Sequence, residues 1–284
     1  MLRSINNTAV AIYAGHTMDE NNLLAGRIRD LSIKTYQNDY LTHTDFLSAS
    51  DLALFYEILR KQGISGNTRT VNGVPFVVYG GRQDADRNVV CFLPSYQSEA
   101  DFLRFEPETG SVIQLVHVLP RNRKFADVLT HRDYLGALMN LGIVRDKIGD
   151  ILVGEEEAYI FVLNEIAELV SKELLQVKHT TVQCEIVNPV ACTLEPKFEE
   201  VTGSVASERL DAVLAMVYHL SRTKAQELIS AEQVFVGGQT MLSAGYLLKP
   251  GDRVSVRGHG KFIYTGAGPL TRKGRVFAKV RVYA

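Results

Sequence analysis

Val112-Ile113-Gln114-Leu115-Val116-His117-Val118 is a run of β-branched and apolar residues, and the elements that follow it decide the fold. Thr130, with Asp133 three residues on, is placed to cap a helix from about His131 to Leu141, and Gly142 stops it. Ile151-Leu152-Val153 and Tyr159-Ile160-Phe161-Val162-Leu163 read as strands. Asn164 reads as the cap of a helix through Leu175, and Thr180 to Val187 alternates as a further strand. The order is β-α-β-β-α-β, a split βαβ arrangement. On the first helix Leu135, Leu138 and Met139 make the buried face. Gly136 costs about 1 kcal/mol relative to Ala in mid-helix, which implies a close packing contact there.

A ferredoxin-like sheet of this kind serves RNA-recognition motifs as a base-stacking platform, and its third strand then opens on a basic residue, a glycine and an aromatic. Here that strand follows Glu155-Glu156-Glu157, and residues 151–200 hold 10 Asp and Glu against 3 Lys and Arg, a net charge of −7. Phosphates are repelled from such a surface. The central layer is therefore expected to be a scaffold or a protein-contact surface, with a protein partner on its acidic side, in preference to direct stacking of bases on Tyr159 or Phe161. His131-Arg132-Asp133 matches a kinase catalytic loop by chance, since neither a glycine-rich loop nor Asp-Phe-Gly accompanies it. Arg145, Lys147 and Asp150 are read as fixing the following turn in preference to touching a partner.

Upstream, a helix is expected from about Asp19 to Ser32 and another from Asp51 to Gln62, with Leu52, Phe55, Ile58 and Leu59 as its apolar stripe and Gly63 as its stop. Pro75 to Tyr79 and Asn88 to Leu93 read as two strands. The loop Gly80 to Arg87 between them carries both signs of charge and is read as a solvated hairpin tip in preference to a partner contact. The fold class is α+β. It comprises a helical, α+β N-terminal region (1–107), a central split βαβ domain of ferredoxin-like, RRM-like type (108–200) and a small C-terminal αα-plus-β domain (201–284).

Downstream the charge inverts. From Ser204 onward there are 12 Lys and Arg against 5 Asp and Glu, a net +7, while residues 1–203 carry −8. A basic tail on an acidic body is the electrostatic footprint of a polyanion-binding module. Ser207 is a cap candidate for a short helix in which Leu210, Val213, Leu214 and Val217 recur at helical spacing, with Arg209 near its start. Ser221 caps a second helix that buries Ala225, Leu228 and Ile229 and leaves Arg222 and Lys224 near its first turn. Cations there oppose the helix dipole, and a phosphate shared with the exposed N–H groups removes the conflict. Val234 to Val236, a Gly237-Gly238 turn and Arg253 to Arg257 read as strand, hairpin and strand. From Arg275 to Tyr283 the residues alternate: Arg275, Phe277, Lys279, Arg281 and Tyr283 share one face, Val276, Ala278, Val280 and Val282 the other. The first face suits phosphates and unstacked bases. A solvated edge strand whose charges block aggregation is the equal alternative.

Residues 207–264 resemble the small RNA-binding domain named after ribosomal small-subunit protein four. Its pattern is matched by Arg209-Leu210-Asp211, Ser221-Arg222, Gly251-Asp252 and Gly260-Lys261-Phe262. The resemblance implies that two short helices face structured RNA. It departs at Glu232, Gln233 and Gly237, where that family usually has a glycine, a Lys or Arg, and an Asn. The candidate RNA-binding residues are Ser207, Arg209, Asp211, Ser221, Arg222, Lys224, Arg253, Arg257, Lys261, Arg275, Lys279 and Arg281. Arg209 and Arg222 are expected to matter most, and replacing both by Glu is expected to abolish binding while leaving stability intact.

The string from His131 to Asp150, with Gly80-Gly81-Arg82 through Arg87, Phe92-Leu93-Pro94-Ser95-Tyr96 and Thr44-Asp45-Phe46-Leu47, resembles the bacterial YlmH-type family over most of the chain; the segment through about Asn22 matches least. The resemblance implies a non-enzymatic, cytoplasmic RNA-binding factor. It also implies association with rRNA and tRNA on the large ribosomal subunit in rescue or quality control of stalled nascent chains, and a link to cell-division genes.

The bulk properties agree with that organisation. A chain of 284 residues with 46% apolar composition supports two or three cores. Cys91, Cys184 and Cys192 lack metal-type spacing and are read as free, buried thiols, with no metal and no cofactor. No apolar run approaches the ~20 residues of a membrane helix, and the start lacks a signal-peptide core. The alternative class is an RNA-modifying enzyme of pseudouridine synthase or methyltransferase type that uses the tail as an accessory.

Overall fold

Apolar alternation in the strands and apolar stripes on the helices sort the chain into three antiparallel sheets, each with its own helices. The computed structural model describes residues 18–64, 69–83, 85–195, 198–270 and 274–283. The opening segment, read for a signal-peptide core, lies largely outside them.

The N-terminal unit contains α1 (Met18–Asn38), β1 (Thr42–His43), α2 (Ala49–Lys61), β2 (Thr70–Val71), β3 (Val74–Tyr79), β4 (Val89–Phe92) and α3 (Glu99–Thr109), with sheet order β1-β4-β3-β2. α2 begins where Ser48 and Asp51 cap each other: Asp51 N–H donates to Ser48 Oγ at 3.2 Å and Ser48 N–H to Asp51 Oδ2 at 2.9 Å. Gly63 ends the helix with a φ of 75°. The expected helices and strands are present, with α1 running on to Asn38; α3, β1 and β2 come in addition.

The central unit contains β5 (Ile113–Pro120), α4 (His131–Asn140), β6 (Ile148–Val153), β7 (Ala158–Leu163), α5 (Asn164–Glu173), β8 (Gln176–Val177) and β9 (Thr180–Val187). The sheet order β6-β7-β5-β9-β8, antiparallel throughout, is that of a split βαβ layer extended by one short edge strand. Three local expectations are corrected. Met139 is exposed, and Tyr134 joins Leu138 as the buried residues of α4. Leu163 occupies the cap of α5 and Asn164 is its first helical residue, because the strand runs directly into the helix. A Cβ at Gly136 would meet nothing within 4 Å, so this glycine permits no close packing.

On the helix side of this sheet Val116, Ile160 and Val162 pack with Tyr134, Leu138 and Val170. On the other side Ile113, Leu115, Tyr159, Phe161 and Leu163 pack with Phe46, Tyr79, Val89 and Phe102 of the N-terminal unit. Both faces are buried. Gly81 and Gly149 make that second contact possible, since added Cβ atoms would lie 2.5 Å from Phe161 and 2.7 Å from Phe46. The junction at 107/108 is tied as well: the buried Glu106 carboxylate accepts the N–H groups of Val112 (2.7 Å) and Ile113 (3.1 Å).

The C-terminal unit contains β10 (Phe198–Val205), α6 (Leu210–Val217), α7 (Arg222–Ser230), β11 (Val234–Val236), β12 (Gln239–Thr240), β13 (Arg253–Val256), β14 (Gly260–Leu270) and β15 (Val276–Tyr283), in sheet order β10-β15-β14-β13-β11-β12. α6 and α7 bury Leu210, Leu214, Leu228 and Ile229 against Val254, Phe262, Tyr264 and Val280 on one face. Gly237 (φ 57°) and Gly238 (φ 81°) form the expected hairpin turn. β15 lies between β10 and β14, which rules out the edge-strand reading of its charges.

Candidate nucleic-acid interface

The starts of α6 and α7 converge on one carboxylate. Asp211 is fully buried, accepts Nε and Nη2 of Arg209 at 3.1 Å each, accepts Nε of Arg222 at 3.1 Å and Nη2 at 3.4 Å, and takes Gln226 Nε2 at 2.8 Å. Burial by itself pushes the Asp211 carboxyl up, but the hydrogen bonds from Arg209, Gln226 and Arg222 outweigh it and hold the group down at about 2. The two guanidinium side chains remain 39% and 49% exposed. Each spends one edge on Asp211, which fixes the plane in which its remaining N–H groups face solvent.

Around this hub the other candidates take local roles. Ser221 caps α7, its Oγ accepting Lys224 N–H at 3.1 Å, and Lys224 pairs with Glu227 at 3.0 Å. Ser207 is not the cap of α6. Arg209 is, because Leu210 N–H donates to the Tyr246 carbonyl (2.8 Å) and Arg209 bridges Leu247, pinning the chain at that residue. The Gly251-Asp252 pair shapes a turn: Gly251 has a φ of 94°, and Asp252 Oδ2 accepts Tyr246 Oη at 3.1 Å and Lys249 N–H at 2.9 Å. Glu232, where the resemblance expects glycine, has a φ of 58°, the left-handed region that glycine favours.

The remaining candidates lie away from that helix corner. Arg253, Lys261 and Arg281 stand on the helix-free face of the C-terminal sheet, across register pairs Arg253–Ile263–Arg281 and Ser255–Lys261. Arg281 lies over the Phe198 ring at 4.6 Å, and Phe198 packs on Tyr283 at 4.7 Å. Arg257 lies over Phe235 at 5.3 Å. Lys279 is exposed, and Arg275 ties β15 to β10 by donating to Ser204 Oγ (2.9 Å) and its carbonyl (2.7 Å). The twelve residues thus divide between a helix corner and an open sheet face.

The sequence presents the loop 80–87 as a solvated hairpin tip in preference to a partner contact. Gln83 and Asp86 are exposed, as a solvated tip would be, but Gly80 and Gly81 are buried, and Asp150, itself buried, accepts the N–H groups of Asp86 (3.0 Å) and Arg87 (3.1 Å) and Nη1 of Arg82 (3.3 Å). Lys147 bridges Asp45 (2.8 Å) and Glu165 (2.5 Å), and Arg145 donates to the carbonyls of Ile148 and Gly149, so these residues do fix local structure. On the central sheet, Tyr159 is stacked on His117 at 4.4 Å and is buried with Phe161. His117 in turn pairs with Glu157 at 2.7 Å.

Among the described residues no group of His, Cys, Asp and Glu could hold a metal ion, and no helix is long and apolar enough to cross a membrane. The three cysteines are free; Cys91 is buried, whereas Cys184 and Cys192 are half-buried. Burial pushes the Cys184 thiol up to about 12 and raises the other two.

Residues 111–190 match the family model described as "Putative RNA-binding domain in YlmH", and residues 208–254 match the S4 domain. The chain is 31% identical over 199 residues to "Ribosome-associated protein quality control protein P2" of Bacillus subtilis (strain 168), across 69% of this chain and 73% of that protein. A solved structure, "Cell division protein ylmH from Streptococcus pneumoniae", aligns at 24% identity with a TM-score of 0.43, covering 62% of this chain and 95% of that one.

Proposed function

The chain belongs to the YlmH family of RNA-binding proteins with a C-terminal S4 domain, and from that premise we propose that it is a non-enzymatic factor that docks on ribosomal RNA through Arg209 and Arg222. The observation that carries this is the buried Asp211. It holds two half-exposed guanidinium forks in one fixed arrangement at adjacent helix starts. Asp211 and Ser221 act by positioning rather than by touching RNA. The +7 charge of residues 204–284 adds long-range attraction.

The Bacillus subtilis relative is named for ribosome-associated quality control. That name supports a ribosome-associated role for this chain; the proposal adds, from the family resemblance, a cytoplasmic protein bound to the large subunit beside tRNA and acting where nascent chains stall. The link to cell division implied by the resemblance belongs to the same proposal. A non-enzymatic role is supported by the two matching family models, both of RNA-binding domains. For the central unit, the covered sheet directs any RNA contact to its loops and helix ends; the acidic surface near Glu155 is assigned to protein contact.

The test removes both cations and their buried counter-charge together. Arg209→Gln/Asp211→Asn/Arg222→Gln leaves no carboxylate buried without a partner. It should melt within about 5 °C of wild type and no longer co-sediment with ribosomes. Wild-type pelleting by the folded variant overturns the docking surface. Filter binding of the unaltered protein to rRNA fragments should show a log–log salt slope of about −4, for about five phosphate contacts.

A further inference from the structure

Two adjoining cavities, of about 1040 and 610 Å³, lie between the loop 80–87, the ends of α4 and β6, and the helix-free face of the C-terminal sheet. Their walls come from all three units. The Asp86–Lys261 ion pair at 2.5 Å joins the loop to the sheet across them.

The cations around the smaller cavity outnumber the acids able to pair with them. Asp150 is already occupied by Arg82 and two backbone N–H groups, and Asp86 by Lys261. Glu195 is the remaining acid of the wall. Arg145 donates only to backbone carbonyls, with no carboxylate in ion-pair distance among the described residues. Arg87 donates through Nη2 to the Phe46 carbonyl (2.9 Å) and to Asp146 (3.3 Å), while its Nε is buried with no acceptor among the described residues. The crowding registers on the groups themselves. Burial and then Arg87 hold Arg145 down at about 10 against the opposing pull of Asp150 and Asp146, and burial followed by Arg145 and Lys261 lowers His131 against that of Asp86.

Like charges drawn from distant parts of a chain repel, and a bound anion relieves them. The chemistry of that anion is narrowed by the larger cavity, where Tyr283 and Phe198 pack against each other and Arg281 backs the Phe198 ring. Paired aromatics backed by a guanidinium form a stacking surface for a base. An acidic protein segment would satisfy the cations and leave this pair unused.

We propose that the cleft binds an unpaired nucleotide of an RNA strand, its phosphate among Arg145, His131 and Lys261 and its base against Tyr283 and Phe198. This rests on the RNA-binding reading above and adds to it a second site, remote from the Arg209–Arg222 corner. It also brings the central unit to RNA through a helix start and a loop while its sheet stays covered.

The experiment is fluorescence anisotropy of the full chain with a labelled single-stranded oligouridylate of about eight nucleotides, within the span one such surface covers. Arg145→Ala and Tyr283→Ala should each weaken binding about tenfold. Arg281→Gln, an exposed replacement on which folding does not depend, should weaken it about threefold. Uridine monophosphate should compete, and inorganic phosphate or polyglutamate should compete far less. Unchanged affinity in Arg281→Gln and in whichever of the other two melts normally overturns the proposal, as does equal competition by phosphate or better competition by polyglutamate. Ribosome pelleting without oligonucleotide binding defeats the cleft alone; loss of both in the unaltered protein defeats the RNA-binding reading.

Discussion

The central and C-terminal sheets are built alike, each antiparallel with two helices on one face, yet their second faces have opposite fates. In the central sheet that face presents Leu115, Tyr159, Phe161 and Leu163 and is covered by Phe46, Tyr79 and Phe102. In the C-terminal sheet it presents Arg253, Lys261, Arg281 and Tyr283 toward a cleft. Side-chain chemistry on every second residue decides the outcome, because an apolar face gains about 25 cal/mol per Å² by burial whereas a charged one loses hydration. The RNA-recognition likeness of the central fold is therefore one of topology; its stacking surface is already occupied by protein.

The strongest way to break this comparison is Phe161→Ala. It should destabilise the protein by about 3–5 kcal/mol in urea titrations, because a fully enclosed ring is lost from a contact between two units. RNA affinity per folded molecule should not change. A selective loss of affinity with stability kept would mean that the central face opens and stacks bases.

The next effect concerns the C-terminal unit. The folded Asp211 carboxyl at about 2 lies below the ordinary Asp value of about 3.9. Its contribution is therefore complete above about pH 4 and is lost as pH falls through about 2, amounting to about 2 kcal/mol. Urea midpoints of wild type and Asp211→Asn should converge on acidification through that window. Midpoints that stay parallel would show that the carboxylate is not held by its arginines. The same hub corrects an expectation from sequence: reversing Arg209 and Arg222 to Glu sets two more carboxylates on a buried one. That variant should lose stability by about 3–5 kcal/mol instead of remaining neutral.

Smaller effects sharpen the contrast at backbone level. Gly136→Ala should stabilise the central unit by about 1 kcal/mol, since helix propensity improves and the new methyl group meets open space. A drop in melting temperature would reveal a contact at that face. Glu232→Gly should gain about 0.5 kcal/mol, the relief of left-handed strain exceeding the entropy that glycine adds to the unfolded chain. An unchanged midpoint in a calorimetric comparison would show that the turn tolerates glutamate.

Much of the fold was legible because its elements announce themselves locally. β9 spans Thr180–Val187 as its alternation predicts, and α7 carries the cap at Ser221 and the buried Ala225, Leu228 and Ile229 expected of it. α3 escaped notice because it has no apolar stripe: only Phe102 and Glu106 are buried, and Pro107 sits inside the helix. Residue type points to Ser207 as a cap, whereas strand-like bonds from Leu210 N–H to the Tyr246 carbonyl and from Leu248 N–H to the Glu208 carbonyl set the helix start two residues later. At the candidate site, residue type pointed to Arg209 and Arg222, and periodicity to the exposed side of β15. Neither signal reports that Asp211 lies beneath both arginines.

The β-α-β-β-α-β order of the central unit, the basic tail on an acidic body and the candidate cations follow from the sequence by itself, since each is a matter of spacing or composition within one short segment. Tertiary structure alone decided that Phe46 and Phe102 cover Phe161, that Asp150 grips Asp86 and Arg87, and that Arg145 and Lys261 border one cavity. Periodicity shows that a face is apolar or charged; what lies against that face depends on surfaces from remote parts of the chain, and these meet only when the whole chain packs.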